Sequence, residues 1–573
     1  MPSKRHGWIA GATITSLGTL GSRVLGLLRD MATAALLGLA GSGVMDAFVV
    51  AFRVPNLFRR LLGEGALAAG FVPAVAEALH RDRPQAWRMA GALMARVGGL
   101  ALAAVLAAEI GCALLGWIWR QAPETTLALG LSAVLMPYVV LASLGALMAA
   151  SLQCLAEFAL PAAAPMLLNL CWLAAAWWIA PLCASKESQA YVLAASVPVA
   201  GVLQVAVQAA RLRRHGFRLS GAIAPVDPPA AERLQGILRR MGPMGFGMAA
   251  TQINALLASL LAWLLTAPAG SVEAASAIAP AGSALVASQP ADPNISARFG
   301  FAKRPLDRGA AAALYYAERV YEFPLGMIGV AAGTALFPLL SRHAASGQHK
   351  EFGAALTLGL QWVLSLGIPA SAGLFLLAEP LARLLFQRGA FSPGDTLRTA
   401  SVIRLYAMGV WAYCAVPVLV RGYYARGEVR IPVRTGLLAV LTNVALGLLL
   451  VGFLAEGALA LAGAISAVFQ MLLLWQGLCR GEAAVDGKTL TATIARALAA
   501  TAAMFLAGRV LIEHLIEPLT AANDPTGRLI AVLVPLGVCL AVYAGTYAAL
   551  GGRLVILSSG LRESDSGPGP AAP

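Results

Sequence analysis

Long apolar runs fill most of this sequence, and short polar or proline- and glycine-rich stretches separate them. A helix that crosses a bilayer needs about 20 apolar residues, and the runs predict about fourteen such helices. They fall at about residues 8–37, 44–79, 89–117, 125–154, 160–182, 189–211, 241–266, 309–341, 353–380, 397–425, 433–454, 457–479, 491–512 and 528–551. No stretch shows the alternation of an outer-membrane strand. The pattern therefore predicts an all-α polytopic membrane protein.

Composition agrees with this class of protein. Hydrophobic residues make up 59% of the 573 positions and charged residues only 12%, whereas soluble domains have about 25% charged residues. The N-terminal MPSKRHGWIAG is basic and then apolar, like a signal peptide. Its apolar region is too long, however, and it contains Arg23, Arg29 and Asp30, so we expect a retained first helix.

The distribution of basic residues predicts the orientation of the chain. The net charge is +14, and with the predicted spans the basic clusters fall on the side of the N-terminus. The positive-inside rule then places both termini in the cytoplasm. Nucleic-acid binding is the other common interpretation of a basic protein, but charges divided among short loops suit orientation better. We therefore expect no nucleic-acid partner.

Cysteine and histidine give no sign of a metal site. The seven cysteines lie mostly in apolar runs and form no C-x-x-C pair, and the six histidines are scattered over loops and span ends. Cysteines in such positions usually serve as small residues of the apolar core. We expect no disulfide, no metal and no cofactor.

A weak internal repeat predicts two halves of the same orientation. AAGFVPAVAE (68–77) resembles GTALFPLLSR (333–342), and EFALP (157–161) resembles EVRIP (428–432) at a similar spacing. Parallel repeats of this kind build transporters with a central site. We therefore expect two parallel six-helix lobes around a central cavity.

The repeat sets the predicted domains. An N-terminal lobe, 1–211, precedes a basic cytoplasmic linker, 212–240. A C-terminal lobe, 241–480, contains an external loop, 267–307, that is rich in alanine, serine, proline and glycine. Residues 481–552 hold two helices outside the duplication, and 553–573 form a tail of disordered composition.

Arginines inside the predicted helices are the strongest functional signal. An arginine at a helix centre costs about 2.5–3.5 kcal/mol on insertion scales, so these side chains must face protein or water. Such arginines can also contact headgroups or pair with acids, for which Asp30, Glu64, Glu318 and Glu322 are close enough in sequence. We favour that interpretation for Arg53, Arg60 and Arg383. Arg23, Arg29, Arg59 and Arg319 predict instead a cavity for an anion, above all a phosphate, which guanidinium binds bidentately.

Several stretches resemble one transporter family. They are SRVLGLLRD (22–30), MDAFVVAFRVPNLFRRLLGEGALAAGFVPAVAE (45–77), LYYAERVYEFPLGMIGVAAGTALFPLLS (314–341), FQRGAFSPGDT (386–396) and RGYYARGEVRIPV (421–433). They resemble the MurJ (MviN) family of the multidrug/oligosaccharidyl-lipid/polysaccharide exporter superfamily, over about residues 8–550. The resemblance implies a fourteen-helix inner-membrane flippase for lipid II, the undecaprenyl-pyrophosphate-linked precursor of peptidoglycan. It implies no enzyme activity, because flipping breaks no bond.

The resemblance also implies a set of cavity residues. They are Ser22, Arg23, Arg29, Asp46, Arg59 and Arg319, with Arg60, Glu64 and the nearby Glu318 as possible supporting residues. The pyrophosphate and sugar would bind in the cationic cavity. Our own hypothesis for Asp46 is that it positions an arginine or breaks its contact during the cycle. The isoprenoid tail would lie in a hydrophobic groove of spans thirteen and fourteen.

Alternatives remain open at this point. The sequence has no acid in span seven or near Asn443 in span eleven, where some relatives bind sodium, so coupling to membrane potential is at least as consistent. The chain could flip another polyprenyl-pyrophosphate-linked saccharide or act as a cation-coupled multidrug exporter. It could also be a scaffold that recruits cell-wall synthesis proteins. Beyond lipid II, membrane lipids and such proteins are the partners that the sequence admits.

Overall fold

The computed structural model describes residues 3–39, 43–63, 75–79, 81–118, 123–217, 252–266, 306–479, 485–516 and 524–552. Within these ranges the regular structure is helical, apart from an isolated bridge between Thr266 and Leu306. The predicted linker 212–240, external loop 267–307 and tail 553–573 lie wholly or largely outside the described residues.

Helices follow one another closely in the part of the chain before residue 267. They are α1 (Ser3–Leu37), α2 (Val44–Gly63), α3 (Arg83–Ile118), α4 (Pro123–Leu135), α5 (Pro137–Cys154), α6 (Ala159–Ala174), α7 (Lys186–Arg214) and α8 (Gln252–Leu265). A π-helical turn, Ala175–Ile179, and a 3-10 turn, Ala180–Leu182, extend α6.

The remainder of the described chain is equally helical. Its helices are α9 (Ala310–Pro324), α10 (Ala331–Ala345), α11 (His349–Leu376), α12 (Ala378–Phe386), α13 (Pro393–Ala407), α14 (Val410–Ala425), α15 (Arg430–Leu454), α16 (Gly457–Cys479), α17 (Gly487–Leu511) and α18 (Pro525–Ala549). A π-helical segment, Leu325–Val330, joins α9 to α10.

Ten helical segments of the described residues are long and apolar enough to cross a membrane, or eleven if α13 and α14, bent by 47°, form one span. Each coincides with one of the predicted spans. The other three predicted spans correspond to α1 and α2, which contain buried charged side chains, and to the shorter α8. The all-helical multispan class is confirmed, and the count of fourteen stays a prediction.

The chain groups into two packed units. The first contains Met1–Tyr315 and Phe386–Asp395, and the second contains Tyr316–Leu385 and Thr396–Pro573. In the first unit, side chains of α3, α5 and α7 share a buried apolar core. In the second, a larger core joins α10, α11, α14, α16, α17 and α18. The lobe boundaries drawn from the sequence remain a prediction.

The π-helical segment between α9 and α10 has an identifiable cause. Pro324 cannot donate a backbone hydrogen bond, and the chain after it widens into the π-helical segment. The Arg421 Nη1 group of α14 donates to the Val330 carbonyl over 2.8 Å. A Cβ atom on Gly329 would lie 2.6 Å from the Cys414 carbonyl oxygen, so only glycine permits this close approach. The π-helical segment begins six residues after Arg319.

The two E-x-x-[LI]-P motifs adopt the same turn. In the first, the Glu157 amide donates to the Leu152 carbonyl and Ala156 has φ 59°; in the second, the Glu428 amide donates to the Tyr423 carbonyl and Gly427 has φ 75°. Both bonds span six residues and close a helix end as in a Schellman motif. The same turn also closes the helices that end near Gly216, Gly347 and Gly551, so the repeat inferred from the sequence stays a prediction.

The two helices outside the predicted duplication pack on α11 of the second unit. Gln361 donates to Thr493 of α17 over 3.1 Å, and the Tyr543 hydroxyl of α18 donates to the Ser365 carbonyl. Both helices also expose large apolar side chains, Leu506 and Leu533 among them. Such a surface suits contact with lipid, and the groove predicted for the lipid tail within 481–552 stays a proposal.

The first motif carries an ion pair that makes stability depend on pH. Glu157 accepts two bonds from Arg211, of 2.6 and 2.7 Å, and contacts His215 at 2.7 Å. The hydrogen bonds from Arg211 hold the pKa of Glu157 below its ordinary value of 4.5. A lowered carboxyl pKa stabilises the fold above the unfolded pKa, and that contribution is lost as pH falls through the folded value.

We therefore expect Glu157→Gln to lower the unfolding temperature at pH 7. The difference from the unchanged protein should shrink once the pH falls below 4.5, the ordinary value for this carboxyl. Glu428→Gln is the matched control, because Glu428 occupies the same turn in the second motif and is exposed. Thermal unfolding across pH measures both. A pH-independent loss for Glu157→Gln would contradict the ion-pair explanation.

Candidate functional site

Arg29 is held in a buried polar cage in the first unit. The whole residue is 8% exposed. Nε and Nη2 donate to Asp30 Oδ1 over 3.0 and 2.8 Å, and Nη1 donates to Asn169 Oδ1 over 3.3 Å. The guanidinium carbon lies 4.8 Å from the ring centroid of Trp172. These contacts fix the orientation of the guanidinium plane and the directions of the donors that they occupy.

Two residues of this cage were missed by the sequence analysis. Asn169 and Trp172 both lie on α6. Asn169 also donates to the Ser22 carbonyl over 2.9 Å, and the Trp172 indole N–H donates to Thr33 over 3.0 Å. A lone asparagine in the apolar run APMLLNLCW was the available signal, because polar side chains inside membrane helices are rare and usually have a specific partner.

The polar contacts continue from Asp30 to Arg53. The Tyr315 hydroxyl donates to Asp30 Oδ1 over 3.1 Å, and the guanidinium of Arg53 lies 5.7 Å from the Tyr315 ring centroid. Arg53 Nε also donates to Ser259 of α8 over 3.1 Å. Arg53 is therefore buried among protein groups. The sequence analysis favoured headgroup contact or an acid partner for Arg53, and it did not predict the contacts with Ser259 and with the ring of Tyr315.

Asp46 caps a helix from a distant part of the sequence. Its Oδ2 accepts from the Gly309 amide over 2.6 Å and its Oδ1 from the Ala312 amide over 2.8 Å. Asp46 as a whole residue is 1% exposed. A negative charge at the N-terminus of α9 is favourable, because the first amides of a helix have no partner within it and carry the positive end of its dipole. The predicted contact of Asp46 with an arginine stays a prediction.

Arg319 and Glu318 lie on the part of α9 that belongs to the second unit. Arg319 Nη1 pairs with Glu322 Oε2 at 2.8 Å. Glu318 is 3% exposed and accepts a long hydrogen bond of 3.5 Å from Tyr406. The Tyr321 ring stacks against Tyr413 with centroids 5.0 Å apart. The acid partner that the sequence offered for Arg319 is therefore present, one helical turn away.

The other predicted site residues are less enclosed or lie outside the description. Ser22 is half-buried and Arg23 is exposed on α1. Arg59 and Arg60 lie on α2, but their side chains are outside the described part of the structure, as is Glu64 altogether. The structure thus joins Ser22, through its carbonyl, to Arg29 by way of Asn169.

This arrangement can exchange anions. Arg29 and Arg319 each bind a carboxylate from their own helix, which offsets the cost of a cation away from water. A phosphate oxygen accepts the same hydrogen bonds and carries the same sign of charge. Each carboxylate therefore occupies a position that a phosphate ligand could take over without leaving the guanidinium uncompensated.

Comparison with known proteins identifies the family. The family described as lipid II flippase MurJ matches residues 33–286 and 294–520. A probable lipid II flippase MurJ of Rhizobium tropici is 32% identical over 545 residues, which is 93% of this chain and 92% of the relative.

Solved structures show the same fold. A lipid II flippase MurJ in an inward closed conformation aligns with a TM-score of 0.69 at 20% identity, over 94% of this chain and 99% of that one. An inward-facing multidrug resistance MATE family transporter of the MOP superfamily aligns with a TM-score of 0.59 at 14% identity, over 83% and 95%. With most of its length matched by one family and by a relative of this identity, the chain belongs to the lipid II flippase MurJ family.

Proposed function

We propose that this chain moves lipid II from the inner to the outer leaflet of the bacterial cytoplasmic membrane by alternating access, for peptidoglycan synthesis. Membership of the family carries the substrate. The single observation that supports a mechanism is the caged and ion-paired guanidinium of Arg29. The family consists of flippases, which break no bond, so this chain is a transporter and not an enzyme.

Exchange of carboxylate for phosphate is the proposed binding step. The pyrophosphate displaces Asp30 from Arg29 and Glu322 from Arg319, while Arg23 and Arg59 contribute further positive charge. Asn169 and Trp172 keep the Arg29 guanidinium oriented during the exchange, because their contacts with it do not involve the Asp30 carboxylate. The released carboxylates return once the product leaves, so the resting protein again has paired charges.

The chain is a multi-pass membrane protein, and its family acts in the bacterial inner membrane. We propose that both termini face the cytoplasm, as the basic loops favour. The C-terminal end of α1 would then face outward. Cell-wall synthesis proteins and membrane lipids are proposed partners beside lipid II.

The test is to deplete the protein in its host and to measure which leaflet holds lipid II. An externally added enzyme that cleaves exposed lipid II reports the outer pool. Lipid II should accumulate in a protected form after depletion, because synthesis continues while flipping stops. If the protected pool consists of another polyprenyl-pyrophosphate-linked saccharide, the substrate is wrong; if lipid II stays exposed at normal levels, the proposed function fails.

A further inference from the structure

The motif FQRGAFSPGDT has no part in the site described above. Most of it forms the segment Phe386–Asp395, called the strap below, which follows α12 and includes the first turn of α13. Although both neighbouring stretches of chain belong to the second unit, the strap packs within the first. Its packing partner there is the C-terminal end of α1.

A hydrogen bond and two glycines make this joint tight. The Ala390 amide donates to the Ala35 carbonyl over 2.7 Å. A Cβ atom on Gly389 would lie 2.4 Å from the Ala35 oxygen, and one on Gly38 would lie 2.6 Å from the Ala390 oxygen. Both glycines have positive φ, 56° and 71°, a conformation that other residues rarely adopt. The backbone at the end of α1 and the backbone of the strap are therefore in close contact at both glycines.

The joint completes the end of α1. A helix leaves its last four carbonyl groups without partners in the helix. Here the Ala34 carbonyl accepts from the Gly38 amide over 2.9 Å, the Ala35 carbonyl accepts from the strap, and the Leu37 carbonyl accepts from Lys186 over 3.2 Å. The strap thus supplies a bond that α1 cannot make for itself.

The strap also holds its own shape. The Ser392 amide donates to Asp395 over 2.9 Å, and the Asp395 amide donates to Ser392 over 3.1 Å. This reciprocal pair is the capping box of a helix start, here of α13. Phe391 is 2% exposed and its ring lies 5.9 Å from that of Phe386. A segment shaped in this way can leave and return to its contact as one piece.

We propose that the strap is a latch on the C-terminal end of α1 that must release during each transport cycle. The inference rests on the proposed alternating access. Both ends of the strap continue into helices whose remaining residues belong to the second unit, α12 and α13, whereas the strap itself groups with the first. Movement of one unit against the other therefore loads the Ala390–Ala35 joint, whose few backbone contacts make it the part that yields.

A reversible cross-link tests the latch. Ala35→Cys and Ala390→Cys are introduced together into a parent whose seven cysteines are replaced by serine. A short bis-methanethiosulfonate joins them, because each cysteine displaces methanesulfinate and forms a disulfide that a reductant later cleaves. A protease site inserted between residues 267 and 305 allows the chain to be cut between the two cysteines. On a denaturing gel, the cross-linked fraction then still migrates as one piece after cleavage, whereas chains without the cross-link separate into two fragments. Lipid II exposure should stop on cross-linking and resume on reduction, while each single-cysteine variant should be insensitive to the reagent.

The outcomes separate the latch from the function. If the cross-linked chain exposes lipid II at the rate of the uncross-linked chain, the joint stays closed throughout the cycle and the latch is overturned, while the flippase stands. If the uncross-linked double variant and its parent expose another lipid instead, the proposed function fails, and the latch is judged by the effect of the cross-link on that lipid.

Two glycine variants of the same strap give a second measurement. Gly389→Ala puts a methyl group against the Ala35 oxygen, whereas Gly394→Ala meets nothing closer than Ser392 Oγ at 3.7 Å. Gly389→Ala should make a cysteine at position 35 at least about fivefold more reactive towards thiol reagents, since strain of this kind shifts such equilibria 5- to 30-fold. Gly394→Ala should leave it unchanged, and equal reactivity in both variants would contradict a releasable joint.

Discussion

Arg29→Ala is expected to abolish lipid II exposure and to destabilise the protein at the same time. Its side chain and that of Asp30 are 10% and 3% exposed, and removal of one partner of a buried ion pair costs about 3–5 kcal/mol. The variant leaves Asp30 with the Tyr315 hydroxyl but without its guanidinium partner. Thermal unfolding and the lipid II exposure assay measure the two losses separately.

The double variant Arg29→Ala, Asp30→Ala separates charge pairing from transport. It removes both charges, so most of the lost stability should return, whereas exposure of lipid II should not, because the proposed phosphate ligand is still absent. Arg398→Ala is a control elsewhere, since it breaks the ion pair with Glu456 in the second unit. It should lower stability and leave transport largely intact. Normal transport by the double variant would remove Arg29 from the proposed mechanism.

Asp46→Ala is expected to have the second largest effect. It leaves the Gly309 and Ala312 amides without the carboxylate that caps α9, and an unsatisfied buried donor costs about 1–3 kcal/mol. Because α9 continues to Arg319, fraying of its first turn should also slow lipid II exposure. Asp46→Asn keeps one acceptor oxygen and should lose less on both measures.

A second cap provides the control for Asp46. Asp524 accepts from the Gly527 amide over 3.0 Å at the start of α18. Asp524→Ala should cost about 0.5–2 kcal/mol, as caps generally do, but should leave lipid II exposure unchanged. If both variants lower stability and neither changes exposure, the cap of α9 is structural only.

Local signals in the sequence predicted the helices well, and they failed where the chain bends. The predicted span 397–425 is two helices, α13 and α14, which meet at Met408 and Gly409. A Cβ atom on Gly409 would lie 2.7 Å from the Ala464 Cα. The bend therefore depends on a helix that lies some fifty residues further along the chain. The hydropathy of residues within the span does not indicate that contact.

The same distinction explains what was found of the candidate site. The cost of an arginine in a membrane helix identified Arg29 and Arg319. Nearness in sequence offered Asp30 and Glu322 as acids for pairing, although a phosphate cavity was preferred for both arginines. The partners that come from afar were not found: Asn169 for Arg29, and the Gly309 and Ala312 amides for Asp46. Their sequence separations exceed any helical period, so only the folded chain brings them together.

The strap fixes the order in which the protein is completed. The ribosome adds Ala390 about 355 residues after Ala35, and at about 5–20 residues per second this delay lasts roughly 20–70 seconds. Throughout that interval the Ala35 carbonyl lacks its partner from the strap, even though α1 precedes every other described helix along the chain. The end of α1 is therefore finished only after about two thirds of the chain has been made, and a chain that stops before residue 386 leaves the Ala35 carbonyl without the strap.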